Sequence, residues 1–205
     1  MEDLKLKQIP ELFIIESLRF EEEGTKLEGH ALRDILAMSG KVGTKYYYIR
    51  TRIELDKVIE LFDAENFRYL HFSLHGSEMG IGTTLESISN EEFFQSIGDC
   101  VDNKRVFFSG CEIPSTKMAK LFFKQTDVYS LIGPATEVNF GNSAAFWHAF
   151  YTLMFEVDPS QMKHSEILKV LKITQKILGA PIHYYRRDIN KSSGYRLHKI
   201  PDRTA

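Results

Sequence analysis

Short apolar runs alternate along the chain with longer segments whose apolar residues recur at helical spacing. The runs are rich in aromatic and β-branched side chains, which is typical of buried strands. The longer segments place apolar residues three and four positions apart, as on one face of a helix. The predicted strands are 12–15, 46–49, 68–74, 105–108 and 128–132, and the predicted helices are 29–38, 53–62, 89 or 90 to 97, 116–124, 142 or 143 to 155, and 165–178.

This alternation of strands and helices predicts an α/β fold. Helices between successive strands favour a mainly parallel sheet of about five to six strands with helices on both faces. The glycine-rich stretch 77–89 interrupts the pattern and predicts a small hairpin or an excursion at the sheet edge. Because the chain contains no repeat, low-complexity tract or linker, residues 1–205 are expected to form one domain. Residues 157–205, helical and basic, are either part of its core or an appendage to it.

Composition narrows the class of protein. The 205 residues are 43% hydrophobic and 12% aromatic, which excludes a disordered chain, and no apolar run is long enough for a membrane span. Two cysteines cannot form a disulfide scaffold, and the first residues lack a signal-peptide layout, so a cytoplasmic location is expected. The net charge of −2 is unevenly spread, with −4 over residues 1–30 and +4 over residues 183–205. The basic end is either a solvated edge or a docking surface for an acidic partner.

Two predicted strands end in residues that can carry chemistry. His75 and Gly76 follow the third strand, and Gly110 and Cys111 follow the fourth. The carboxyl ends of parallel strands lie along one edge of a sheet, where the active sites of open α/β proteins are found. A cysteine thiolate is a strong nucleophile, and an imidazole can accept its proton or protonate a leaving amine. The backbone N–H groups of Gly76 and Cys111 can together bind an oxyanion.

Other interpretations of these residues are open. A single cysteine after an apolar strand is often a small buried side chain, and a histidine such as His71 is often packed in a core. His71 and His75 lie on the same strand face, so with Cys111 or Cys100 they form a conceivable zinc site. The chain lacks the short cysteine and histidine spacings of zinc sites, and no phosphate-binding glycine loop follows a strand. No metal, cofactor or membrane is therefore expected, and nucleic-acid binding is disfavoured.

The histidine and cysteine blocks resemble a known family. Residues 70–76 (LHFSLHG) and 106–112 (VFFSGCE), with 36 positions from histidine to cysteine, are similar to the two catalytic blocks of caspase-like cysteine peptidases of clan CD. The nearest variant is the CHAT domain, which is related to caspases and separase. The segments 87–97 and 131–151 are similar to the CHAT helix between the blocks and to its later strand, loop and helix. The resemblance covers residues 11–156 and implies a three-layer caspase-like sandwich.

The resemblance also implies a mechanism without metal or cofactor. Cys111 is expected to attack a peptide carbonyl and form a thioacyl intermediate. His75 is expected to act as general acid and base, chiefly by protonating the departing amine. The N–H groups of Gly76 and Cys111 are expected to form the oxyanion hole.

The same likeness assigns residues to a substrate groove. Ser109 occupies the position where caspases have glutamine and metacaspases aspartate, so strict specificity for aspartate or for basic residues is not expected. Glu112 and Glu137 are expected to border the groove. Arg19 is the one weak candidate for binding an acidic substrate side chain.

The family likeness predicts a cysteine endopeptidase with a protein substrate. Such a domain is expected to act as a regulated effector, with an activating or sensor protein as partner and a role in bacterial defence or cell death. The alternative is a non-catalytic caspase-like module that docks a partner and keeps the histidine and cysteine without using them.

Overall fold

The structure is a computed structural model and describes residues 8–202. A mixed β-sheet forms its centre, with helices on both sides. The strands are β1 (Ile9–Ser17), β2 (Lys45–Tyr48), β3 (Phe67–Ser77), β4 (Gly80–Gly82), β5 (Ser87–Ser89), β6 (Arg105–Phe108), β7 (Ser130–Pro134), β8 (Ile182–Arg187) and β9 (Tyr195–Ile200). The helices are α1 (Glu28–Met38), α2 (Arg52–Glu65), α3 (Asn90–Ile97), α4 (Thr116–Gln125), α5 (Phe140–Val157) and α6 (His164–Leu178).

Seven of the strands in the described part of the chain form the main sheet, in the order β2-β1-β3-β6-β7-β8-β9. In this order, the first five strands (β2, β1, β3, β6 and β7) run parallel to one another, whereas β8 and β9 are antiparallel to their neighbours. The predicted α/β fold with a mainly parallel sheet is therefore confirmed. The sheet is larger than expected because β8 and β9 lie where no strand was predicted. Their sequences mix aromatic with charged residues, so they lack the apolar run by which the other strands were identified.

Each face of the sheet is covered by its own set of helices and its own hydrophobic core. Helices α2, α3 and α4 pack on one face, where Phe62, Phe93 and Phe122 are fully buried. Helices α1, α5 and α6 pack on the other, where Trp147 and Phe150 are fully buried. Successive residues of a strand point to opposite faces, so each central strand supplies both cores.

Side chains at the helix starts explain where several helices begin. Ser89 accepts a hydrogen bond from the Glu92 backbone N–H, so it caps α3 as the sequence suggests. Thr51 caps α2 in the same way through Glu54. The prediction that Asn142 or Ser143 caps α5 is wrong, because the helix begins earlier. Its cap is Asn139, whose side-chain oxygen accepts hydrogen bonds from the backbone N–H groups of residues 141 and 142.

The last third of the chain continues the sheet. Helix α6 packs against α5, and β8 pairs with β7 along Ser130–Pro134. Tyr184 of β8 and Ile167 of α6 belong to the same buried core as α5. Within residues 8–202, no helix combines the length and the apolar character needed to cross a membrane.

A small hairpin closes over the end of β3. Strand β4 pairs antiparallel with the last residues of β3, with His75 opposite Gly82 and Ser77 opposite Gly80. Strand β5 pairs with β4 in turn, which confirms the predicted hairpin. This excursion extends β3 beyond the main sheet, so His75 lies where the sheet ends and the hairpin begins.

Candidate active site

The two strand ends predicted to carry chemistry meet at the carboxyl edge of the sheet. β3 and β6 are parallel neighbours, with Phe72 opposite Phe108. A Cβ atom built on Gly76 would lie 2.7 Å from the carbonyl oxygen of Cys111, and one built on Gly110 would lie 2.6 Å from that of Leu74. These distances are too short for a side chain. The backbones around His75 and Cys111 are therefore packed directly against each other, as only glycine permits.

His75 is held by a carboxylate that the sequence did not single out. Its Nε2 atom lies 2.5 Å from the carboxylate of Glu22, which ends a short 3-10 turn, Phe20–Glu22, just after β1. Lys26 Nζ donates to the other carboxylate oxygen at 2.8 Å. Burial opposes ionisation of Glu22, but the hydrogen bonds from Lys26 and His75 lower its pKa to about 2. An ionised carboxylate bonded to Nε2 fixes the orientation of the imidazole ring.

Cys111 is half-buried and faces the loop that precedes α5. Its Sγ atom accepts a hydrogen bond from the Val138 backbone N–H, with a separation of 3.4 Å. In the part of the chain that the structure describes, no hydrogen bond joins His75 to Cys111. Val138 directly follows Glu137, whose side chain is exposed, and Glu112 directly follows Cys111 with a φ of 58°. A positive φ in a residue other than glycine is a strained conformation that is often found at functional sites.

Ser109 does not lie in an open groove. Its side chain is buried, and its hydroxyl lies 3.0 Å from His71 Nε2 and 3.3 Å from the Phe72 carbonyl oxygen. The prediction that Ser109 lines a substrate groove gains no support from this placement, because the hydroxyl is already bonded beneath the strand ends.

A buried polar cluster lies under the strand ends and consists of Glu16, Glu28, His71, Ser73, Ser109 and Tyr151. The His71 ring bonds Ser109 through one nitrogen and the Tyr151 hydroxyl, at 2.9 Å, through the other. Burial lowers the pKa of His71 to about 3, so the ring is neutral at ordinary pH and donates one bond while accepting the other. The two nitrogens are thus committed to protein partners rather than to the zinc site considered from the sequence.

A cavity of about 530 Å³ opens beside His75, between the strand end and the hairpin. Its lining combines the apolar side chains of Met79 and Ile81 with Arg19 and Glu92. Arg19 forms no ion pair with any residue from 8 to 202. Cys111 does not line this cavity, which therefore lies on the histidine side of the two strand ends.

The second cysteine has a different environment. Cys100 packs against the hydrophobic core at the end of a 3-10 turn, Gly98–Cys100. Burial, together with the nearby carboxylates of Asp63 and Asp99, raises the pKa of its thiol to about 11. It is therefore a poor nucleophile and a natural internal control for Cys111.

Comparison with known proteins identifies the fold. No family model matches the chain, and no curated protein matches it in sequence. Among solved structures, the chain is similar to a secreted C11 cysteine protease from Bacteroides thetaiotaomicron, in complex with an irreversible peptide inhibitor. The TM-score is 0.55 at 8% sequence identity, and the match covers 86% of this chain and 66% of that protein, slightly less than two thirds of it. The chain thus has the α/β fold of the caspase-like cysteine proteases.

Proposed function

We propose that the protein is a cysteine endopeptidase with Cys111 as nucleophile and His75 as general acid and base. One observation carries the proposal. The imidazole of His75, held by the ionised Glu22, and the thiol of Cys111 occupy adjacent strand ends of a caspase-like sheet. The resemblance of the two blocks to CHAT domains supports the same catalytic assignment. By the same resemblance, we propose that the substrate is a protein and that the domain is a regulated effector in the cytoplasm.

The chemistry follows from these groups. The thiol proton passes to His75 as Cys111 Sγ attacks the carbonyl carbon of a peptide bond, forming a C–S bond. The backbone N–H groups of Gly76 and Cys111 stabilise the charge on the carbonyl oxygen. His75 then protonates the leaving amine as the C–N bond breaks. Water, deprotonated by His75, hydrolyses the thioester and returns Cys111 to its starting state.

Thiol labelling and peptide cleavage test the proposal together. We expect a limiting electrophile such as iodoacetamide to label Cys111 faster than Cys100, and the excess to fall in the His75→Ala variant. We also expect Cys111→Ala to abolish cleavage of a peptide library and Cys100→Ala to leave cleavage unchanged. Both variants should keep the melting temperature of the wild type. Cleavage that survives Cys111→Ala would overturn the assignment.

A second candidate function rests on a specific observation. Cys111 Sγ is bonded to Val138 and His75 to Glu22, so neither side chain is bonded to the other. This arrangement also suits a module that docks a partner and catalyses nothing. Such a module would retain partner binding and cellular function in Cys111→Ala, whereas a peptidase would lose its function.

A further inference from the structure

A second cavity lies at the amino edge of the sheet, opposite the edge that carries His75 and Cys111. It has a volume of about 260 Å³ and is lined by Arg68, Arg105, Tyr129, Gln161 and Lys163. Arg68 and Arg105 lie at the starts of the neighbouring strands β3 and β6, and Lys163 immediately precedes α6. Three cations therefore converge on one depression, and none of the residues that line it is acidic.

The two arginines are anchored by neutral partners. Arg68 donates from Nε to Gln8 at 2.8 Å and from Nη1 to the Ser160 carbonyl at 2.7 Å. Arg105 donates from Nη1 to the Ser130 hydroxyl at 3.2 Å, and its guanidinium lies 5.5 Å from the centre of the Tyr129 ring. These contacts fix the planes of both groups without neutralising them. Neither arginine, nor Lys163, forms an ion pair within residues 8–202.

The nearby carboxylate does not cancel this charge. Asp158 accepts hydrogen bonds from the backbone N–H groups of Gln161 and Lys163, at 3.1 and 2.8 Å, and so shapes the loop. Three cations and one carboxylate leave a local charge of +2. Further cations lie on the side towards α6: after burial, the charges of Arg186, His198 and Arg105 lower the pKa of His164 to about 4.

An unsatisfied donor lies next to the two arginines. The Tyr69 side chain is fully buried, and its hydroxyl proton has no acceptor among the described residues, although Arg68 lies close enough to donate to its oxygen. Burial raises the pKa of this phenol to about 12, although Arg68 and Arg105 are close enough to oppose the change. A buried hydroxyl without an acceptor is unusual. Tyr69 does not itself line the cavity, but it directly follows Arg68, which does.

We propose that this cavity binds a phosphate dianion, either as inorganic phosphate or as a phosphate monoester. A dianion matches the local charge of +2, and the planar forks of two arginines suit the tetrahedral oxygens of phosphate. The cavity leaves room for a group attached to the phosphate. The inference is independent of the proposed peptidase activity, because the site lies at the other edge of the sheet and shares no residue with it.

Calorimetric titration of the full chain with sodium phosphate, at constant ionic strength, tests the proposal. We expect phosphate to bind saturably to the wild type, whereas a reference titration with sodium chloride should show no such binding. Phosphate should bind about tenfold more weakly to Arg68→Gln and to Lys163→Gln. Lys163 is exposed, so its variant should fold even if the arginine variant does not. Arg33→Gln is the matched control, because Arg33 lies on α1 and pairs with Asp34. Equal phosphate binding by wild type and both site variants would overturn the proposal, as would no binding beyond that of chloride.

A second arm identifies the source of the phosphate. Titration with O-phosphoserine and with a phosphoserine peptide is compared with inorganic phosphate on the same variants. Tighter binding of the peptide, lost in Lys163→Gln, would assign the site to a phosphorylated protein. Equal binding of all three would assign it to free phosphate. The monoester assignment would be overturned if single-stranded DNA bound to the cavity and phosphoserine did not. Such DNA binding would have to weaken in Arg68→Gln and Lys163→Gln as phosphate binding does.

Discussion

The Glu22 carboxylate decides which nitrogen of His75 is free to transfer a proton. Nε2 is bonded to Glu22, so Nδ1 is left for the nucleophile and the leaving group. In the proposed mechanism, the negative charge of Glu22 also stabilises the imidazolium formed when His75 takes the thiol proton. Glu22 does not contact Cys111, so in the proposed mechanism its role is to position the histidine.

Replacing Glu22 by glutamine tests this role. Glu22→Gln keeps the shape of the side chain but removes the charge, so we expect iodoacetamide to label Cys111 at least about tenfold more slowly, since a carboxylate that orients a histidine can be worth up to about 10⁴ in rate. The matched control is Glu21→Gln, because Glu21 is the exposed neighbour in the same turn. Equal labelling rates in the two variants would show that Glu22 has only a structural role.

At the scale of elements, the site depends on how closely β3 and β6 approach at their carboxyl ends. The Ile113 side chain packs against both Gly76 and Gly110, in addition to the backbone contacts between the two strand ends. A Cβ atom on either glycine would lie 2.6 Å from the Ile113 side chain. Ile113 is fully buried, so it has little room to move. The two glycines therefore fix the spacing of the strand ends that carry His75 and Cys111.

Adding a methyl group at this contact should separate the strand ends. We expect Gly76→Ala to lower the free energy of unfolding by about 1–3 kcal/mol, as overpacking does in other cores, and to slow labelling of Cys111. Gly82→Ala is the control, because its Cβ would lie 3.5 Å from His75 Cβ, an ordinary contact. Urea denaturation and labelling kinetics measure both effects. If Gly76→Ala were as stable and as reactive as Gly82→Ala, the close contact would not matter.

At the scale of the whole molecule, the polar cluster is buried within the hydrophobic core on one face of the sheet, the face that α1 and α5 cover. The Ser73 hydroxyl lies 3.1 Å from the Glu16 carboxyl and 3.0 Å from the Glu28 carboxyl. A hydroxyl carries one proton and can donate to only one of them, so the second bond requires a proton on a carboxyl group. Burial, reinforced by the charge of Glu16, raises the pKa of Glu28 to about 8 despite hydrogen bonds from Ser73 and Ser109.

The stability of the whole chain should therefore depend on pH through Glu28. Its pKa is about 8 in the folded protein and near 4.5 when unfolded, so the folded state binds more protons between these values. The stabilisation is complete below pH 4.5 and is lost as the pH rises towards 8, by up to about 1.4 kcal/mol per pH unit.

Urea denaturation at a series of pH values checks this expectation. Relative to wild type, Glu28→Gln should become steadily more stable as the pH rises from 5 to 8, because glutamine has no proton to lose. The control is Glu91→Gln on the exposed first turn of α3. Parallel stability curves for wild type and Glu28→Gln would show that Glu28 is ionised in the folded protein.

Local pattern was sufficient for most of the elements, and it placed two candidate site residues at neighbouring strand ends. The apolar runs of β1 and β6 are continuous, so their burial on both faces could be predicted without any tertiary information. His75 and Cys111 were predicted as site residues because strand ends meet at one edge in any parallel sheet, and their roles stay predictions. The same reasoning failed for β8 and β9, whose charged residues break the apolar pattern, and it did not indicate that the Ser109 hydroxyl is directed inward.

The sequence by itself determined the α/β fold and the two strand ends, because helical and strand periodicity are properties of neighbouring residues. Only the tertiary structure brought Glu22 to His75, since 53 positions separate them and the contact depends on how one short turn folds over a strand end. The cavity of Arg68, Arg105 and Lys163 likewise combines residues from three distant elements. Contacts of this kind depend on the three-dimensional path of the backbone, which no local spacing of residues records.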